Sequence, residues 1–145
     1  MGLLSFFGFG ADTSHNVHMA AEAAKRARTS LDIDVSIAAH ENWLTRLETY
    51  MVGRGESRLD PDKVACDCNC DLGRWIHSDG EEHLGEFAAF QDLKATHKMF
   101  HYKASSVVSL YHANKTMEAQ QELSGDVAKL SHKIKIRLED LRNIE

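Results

Sequence analysis

Residues 90–104 read Phe90-Gln91-Asp92-Leu93-Lys94-Ala95-Thr96-His97-Lys98-Met99-Phe100-His101-Tyr102-Lys103-Ala104. Phe90, Leu93, His97, Phe100, His101 and Ala104 recur at intervals of three and four, the signature of one apolar face of an α-helix. The stripe extends back through Leu84 and Phe87 and forward through Val108 and Tyr111, so the spacing predicts a long helix starting near Glu81. Two of its members are histidines. Burying imidazole is costly unless its nitrogens find partners. His97 and His101 stand at i and i+4, which puts their Cβ atoms about 5–6 Å apart and lets both rings hold one ion.

Upstream, Val17, Ala20, Ala24, Ala27, Leu31, Val35 and Ala38 form a second helical stripe, and Ile37, His40, Leu44, Leu47 and Met51 a third. Asp12, Thr13 and Ser14 offer N-caps, and Gly53-Arg54-Gly55 offers a stop. The expectation is one helix over about 14 to 52, with Ser30 the place for any break. Residues 54–68 are polar and hold the only proline. A short helix is expected over Cys70 to His77, closed by Ser78-Asp79-Gly80. Downstream, Met117, Gln120, Leu123, Val127, Leu130, Ile134, Leu138 and Leu141 suit a bundle seam. Gly125 inside that helix marks a bend or a break. The predicted fold is all-α and up-down, four-helix-bundle-like: three long helices plus a short cysteine-bearing one.

The chain's 145 residues suit one domain. The division expected is an apolar N-terminal tip at 1–12 and a single helical domain at 13–145. The formal net charge is -5 with both signs interspersed, which argues against a nucleic-acid partner. MGLLSFFGFG, the longest apolar stretch, falls short of the roughly 20 residues a membrane span requires. It has neither a basic start nor a cleavage site, and Phe6 stands where myristoylation wants Ser or Thr. It reads as a packed terminus or as a docking tip. All three cysteines fall in Cys66-Asp67-Cys68-Asn69-Cys70. An odd, clustered set suits reduced thiols and a cytoplasmic setting.

A structural zinc site takes four ligands from His nitrogen and Cys sulfur. His97 and His101 supply two and His40, on its own apolar stripe, a third. The fourth would be a thiolate, for which Cys66, Cys68 and Cys70 are candidates. Here the chain resembles the chemoreceptor zinc-binding domain family. Cys70-Asp71-Leu72-Gly73-Arg74-Trp75 matches its Cys-x-Leu-Gly-Lys/Arg-Trp motif, with Arg74 for the commoner lysine. His40-x-x-Trp43 matches its first-helix motif. His97-x-x-x-His101, preceded by Phe90 and Leu93, matches its paired histidines, and Ala119, Ser131, Ile134 and Leu138 its last-helix pattern. The likeness covers about residues 33 to 141.

The resemblance implies zinc bound by His40, Cys70, His97 and His101, with Cys70 also the redox-sensitive residue. It implies a zinc-binding sensory module for zinc or for oxidants such as hypochlorous acid. The family regulates chemoreceptors and diguanylate cyclases and tends to form homodimers. Four protein ligands would leave zinc no open position for water, and no general base or nucleophile constellation stands near the motif, so an enzyme is not expected. This sequence contains no methyl-accepting coiled coil or cyclase motif, so a chemoreceptor or cyclase partner is expected in trans. Cys66 and Cys68 read as free thiols, with Cys66 placed to resolve an oxidised Cys70. Trp43 and Trp75 read as core. His15, His18, His77, His83, His112 and His132 read as solvated surface, with His77 and His83 close enough to support the site. Asp67 and Asp71 are candidate acceptors for a ligand histidine. Two other readings compete: a zinc-stabilised structural or adaptor domain, and a hemerythrin-like di-iron oxygen binder, which would want about five histidines with bridging carboxylates.

Overall fold

The computed structural model describes the backbone of residues 4–55 and 58–143 and, within these, the side chains from Asn16 onward. Six helices carry the chain, and there is no strand among the described residues: α1 (Leu4–Ser30), α2 (Ile33–Met51), α3 (Pro61–Ala65), α4, α5 (Ala88–His112) and α6. Helix α4 consists of Asp71–Trp75, a π-helical turn at Ile76–Gly80, and Glu81–Leu84. Helix α6 consists of Thr116–Glu122, a π turn at Leu123–Val127, and Ala128–Arg142. The fold is all-α and bundle-like, as the stripes predict.

Ion pairs fix the directions of the long helices. Asp34 pairs with Arg142 and Glu41 with Lys135, so α2 and α6 run antiparallel. Asp92 pairs with Arg137 and Lys133, and Lys103 with Glu122 and Asp126, so α5 and α6 are antiparallel too. Helices α2 and α5 are therefore parallel. The chain must travel back from the end of α2 to the start of α5, and this return leg carries α3, the cysteines and α4. That path brings Cys70 past the histidines.

Several boundaries differ from the sequence expectations. The helix expected over 14–52 is two. Asp32, extended at φ -80°, ψ 99°, accepts from Val35 N–H and starts α2, while Ser30 Oγ bonds back to Ala27 O and ends α1. Val35, in the first stripe, is consequently exposed. Helix α1 begins at Leu4, so Asp12, Thr13 and Ser14 lie inside it rather than at its start; no proline interrupts residues 1–30 to force a later start. The side chains of the tip at 1–12, and His15, lie outside the described residues. Gly53, at φ 75°, closes α2 as expected. The long helix starts at Ala88 rather than near Glu81, because Gly85 N–H and Phe87 N–H turn back to Glu81 O and Leu84 O. Gly125 falls in the α6 π turn, which shifts the buried face. Ala119, Leu123, Val127, Ser131, Ile134, Leu138 and Leu141 are buried, whereas Met117 is 79% exposed.

The core gathers Leu47, Leu72, Ile76, Leu84, Phe90, Leu93, Phe100, Val107, Val108 and the α6 seam, all almost inaccessible. Helix α1 packs mainly on α4 and adds Ala24 and Ala27 to this core. No helix among the described residues is long and apolar enough to cross a membrane.

Candidate metal centre

His40, Cys70, His97 and His101 come from α2, the start of α4, and α5. One donor atom from each lies within 4.8 Å of all the others. Cys70 Sγ is 3.2 Å from His97 Nε2 and 3.7 Å from His101 Nε2, and the two Nε2 atoms are 3.2 Å apart. Tetrahedral zinc with ordinary bond lengths would put nitrogens about 3.3 Å from each other and about 3.6 Å from sulfur. The spacing fits.

Backbone carbonyls set two of the tautomers. His40 Nδ1 is 2.8 Å from Ser36 O and His101 Nδ1 is 2.9 Å from Val64 O. A carbonyl only accepts, so each Nδ1 carries the proton and each Nε2 presents a bare lone pair to the cluster. His40 Nε2 is buried with no hydrogen-bond partner among the described residues. Lone pairs converging in a dry site ask for a cation, and His3Cys is a donor set suited to zinc. Burial, the largest effect, holds all three histidines below their ordinary pKa. Neighbouring imidazoles add to it at His40 and His97, and His97 is lowered to about 2. The rings therefore stay neutral and able to ligate.

The cysteine is positioned by its own turn. Cys70 is the N-cap of α4, extended at φ -85°, ψ 162°, and its Sγ accepts from Gly73 N–H at 3.2 Å. Burial pushes the Cys70 thiol up, and the N–H groups of Gly73 and Leu72 oppose that shift. Gly73 is required sterically. A Cβ there would stand 1.7 Å from Asp67 O, so only glycine lets the cysteine loop lie against α4. Leu72 and Trp75 anchor the other side of the turn in the core.

The structure brings the four expected donors together. It also corrects several roles. The acceptors for His40 and His101 are Ser36 O and Val64 O, not carboxylates: Asp67 pairs with His77 Nε2 at 3.0 Å, and Asp71 pairs with Arg74 on the surface. His77 thus supports the cysteine loop rather than a ligand, and His83 lies beside Glu82. His112 is not simply solvated. Its Nε2 is 2.6 Å from Tyr50 Oη and its Nδ1 3.4 Å from Arg58, a clamp between the ends of α2 and α5 that the apolar stripes did not signal. Trp75 is core, while Trp43 is only partly covered, edge-on to His101 with Arg46 over its face. Cys66 and Cys68 are joined in a disulfide and Cys70 is free. The expected resolving thiol is therefore already paired.

Residues 40–108 match the family model of the chemoreceptor zinc-binding domain. The match runs from the first histidine through Cys70 and past both histidines of α5, and is shorter than the likeness read from the motifs. No curated protein and no solved structure matches the chain.

Proposed function

We propose that the chain, whose residues 40–108 match the family model of the chemoreceptor zinc-binding domain, is a zinc-binding sensory module and not an enzyme. The convergence of His40, Cys70, His97 and His101 within 4.8 Å carries the reading. Four protein donors complete a tetrahedron and leave no position for water or substrate. Zinc, when bound, would hold the Cys70 sulfur as thiolate at neutral pH. That sulfur remains oxidisable. Hypochlorous acid would convert it to sulfenic acid with release of chloride, loosening the start of α4.

In this reading the signal is zinc or an oxidant, and the output passes in trans to a chemoreceptor or diguanylate cyclase in the cytoplasm. The module acts as a homodimer through α1, on which Val17 and Met19 are exposed. Light scattering that reports a monomer at micromolar concentration removes the dimer from the proposal.

Metal analysis of protein purified without added zinc is the direct test. One zinc per chain supports the proposal. Iron and colour would favour the hemerythrin-like reading, against which stand the three buried histidines and the sulfur donor. Zinc that stays in place under oxidant would make the domain a zinc-stabilised structural or adaptor unit.

A further inference from the structure

We infer that Cys66 and Cys68, which are not among the four converging donors, form a thiol–disulfide couple that sets how firmly Cys70 is presented to the metal. The inference rests on the zinc reading above. The disulfide closes a ring around the single residue Asp67, so it removes little chain entropy from the unfolded state and is a poor staple for a 145-residue protein. What it does constrain is Asp67, and Asp67 is the residue on which the cysteine turn rests. Its carbonyl lies against Gly73 so closely that no side chain fits between them. Its carboxylate is 3.0 Å from His77 Nε2 on the following π turn. Gly73 in turn donates its N–H to Cys70 Sγ. Two residues before the ring, Val64 O fixes the tautomer of His101. The ring therefore sits between a backbone group that orients one donor and a backbone group that orients another.

Cys68 is exposed and Cys66 partly so, which leaves the bond within reach of a soluble dithiol. Such a dithiol would transfer two electrons and two protons to the Cys66–Cys68 bond. The products are two cysteine thiols and one oxidised, cyclic dithiol. Freed of the ring, Asp67 can leave Gly73, and the Cys70 turn loses its backing. Zinc affinity falls without any change in the four donors. Partners that orient ligands typically govern metal affinity by about 10–100-fold, and the lower end suits a contact that acts through one intervening turn.

The test uses the full chain in two preparations: mildly oxidised, and reduced with a dithiol that is then removed. Intact mass reads the two hydrogens that separate them, and competition with a chromogenic chelator reads zinc affinity. The oxidised chain should hold zinc about tenfold more tightly than the reduced one. The Cys66→Ser/Cys68→Ser variant should behave like the reduced chain and ignore redox treatment; if it fails to fold, the two wild-type preparations decide alone. One zinc per chain with equal affinity in both states overturns this inference and spares the zinc reading. So does tighter binding, or a second zinc, in the reduced chain, since Cys66 and Cys68 would then be ligands. A mass that shows no Cys66–Cys68 bond after oxidation also overturns it. No zinc in either state overturns both.

Discussion

The indole Nε1–H of Trp75 donates to the main-chain carbonyl of Ala27 at 3.0 Å and lies 3.2 Å from Ser30 Oγ, tying the cysteine-bearing helix to the last turn of α1. Trp75 stands one turn beyond Cys70 and also meets Phe90 edge-on, with ring centroids 5.8 Å apart. The metal centre and α1 are thus linked through one side chain. Trp75→Phe keeps an aromatic ring and deletes the donor. It should cost about 1 kcal/mol, speed amide exchange near Ala27, and leave zinc stoichiometry intact. Unchanged exchange in α1 would show that Trp75 only fills space.

Two glycines separate steric need from tolerance. Gly73→Ala forces a methyl into Asp67 O, a main-chain atom that cannot swing aside. Zinc affinity and thermal stability should both fall. Gly125→Ala meets nothing within 4 Å and lies in a helical segment, so it should raise stability by up to about 1 kcal/mol. Paired melting curves check the contrast. A Gly73→Ala protein that binds zinc normally would mean the cysteine turn can be built without the close approach.

His97→Ala should remove the metal and not merely weaken it. The centre joins α2, α4 and α5, and metal binding to a site assembled by folding adds to folding stability. The melting temperature should drop to that of chelator-treated wild type, and added zinc should no longer raise it. Retention of one zinc by the variant would reassign the donors.

In metal-free protein the same histidines predict acid sensitivity. Burial lowers the pKa of His40, His97 and His101 from 6.5, His97 to about 2. As pH falls, the unfolded chain takes up these protons before the folded chain does. The contribution is intact above about pH 6.5 and is lost as pH drops below it, by up to about 1.4 kcal/mol per pH unit for each histidine. Denaturant titrations of chelated protein between about pH 8 and about pH 5 should show the loss. A flat profile would mean the imidazoles are wetter than their burial indicates.

The sequence was most informative where residue type conflicted with position. His40, His97 and His101 stand out because imidazole interrupts stripes of Leu, Phe and Ala, and the fourth donor followed from the Cys-x-Leu-Gly-Arg-Trp motif once the family resemblance was recognised. What stayed hidden depended on contacts distant in sequence or on backbone geometry. The acceptors of His40 and His101 are carbonyls of Ser36 and Val64, and a carbonyl has no sequence signature. The Tyr50–His112 clamp joins residues 62 positions apart. The split at Leu31–Asp32 falls beside Ser30, where the sequence offers a break, although Val35 and Ala38 continue the spacing of the first stripe across it. The π turn around Gly125 was foreseen only as a weakness, since glycine says that a helix can deviate but not how.

The last prediction concerns the order in which the three sulfurs meet an oxidant. In protein prepared fully reduced, all three are thiols, and Cys68 is the most exposed. Exposure alone would have Cys68 react first. Thiolate content argues the other way. Burial keeps the Cys70 thiol protonated in the metal-free chain, whereas in the zinc-loaded chain the proposed site would hold it as thiolate, the reactive form. Mild hypochlorous acid should therefore modify Cys70 first in zinc-loaded protein and lose that preference after chelation. Zinc should be released in step with Cys70 modification, because the sulfur is the one donor that α4 contributes beside the histidines of α2 and α5, and its oxidation removes that link. Peptide mass spectrometry with and without chelator reads the order, and a chromogenic chelator reads the release. If Cys66 and Cys68 react first while zinc is bound, the metal shields Cys70, and a zinc-stabilised adaptor becomes the better account of the domain.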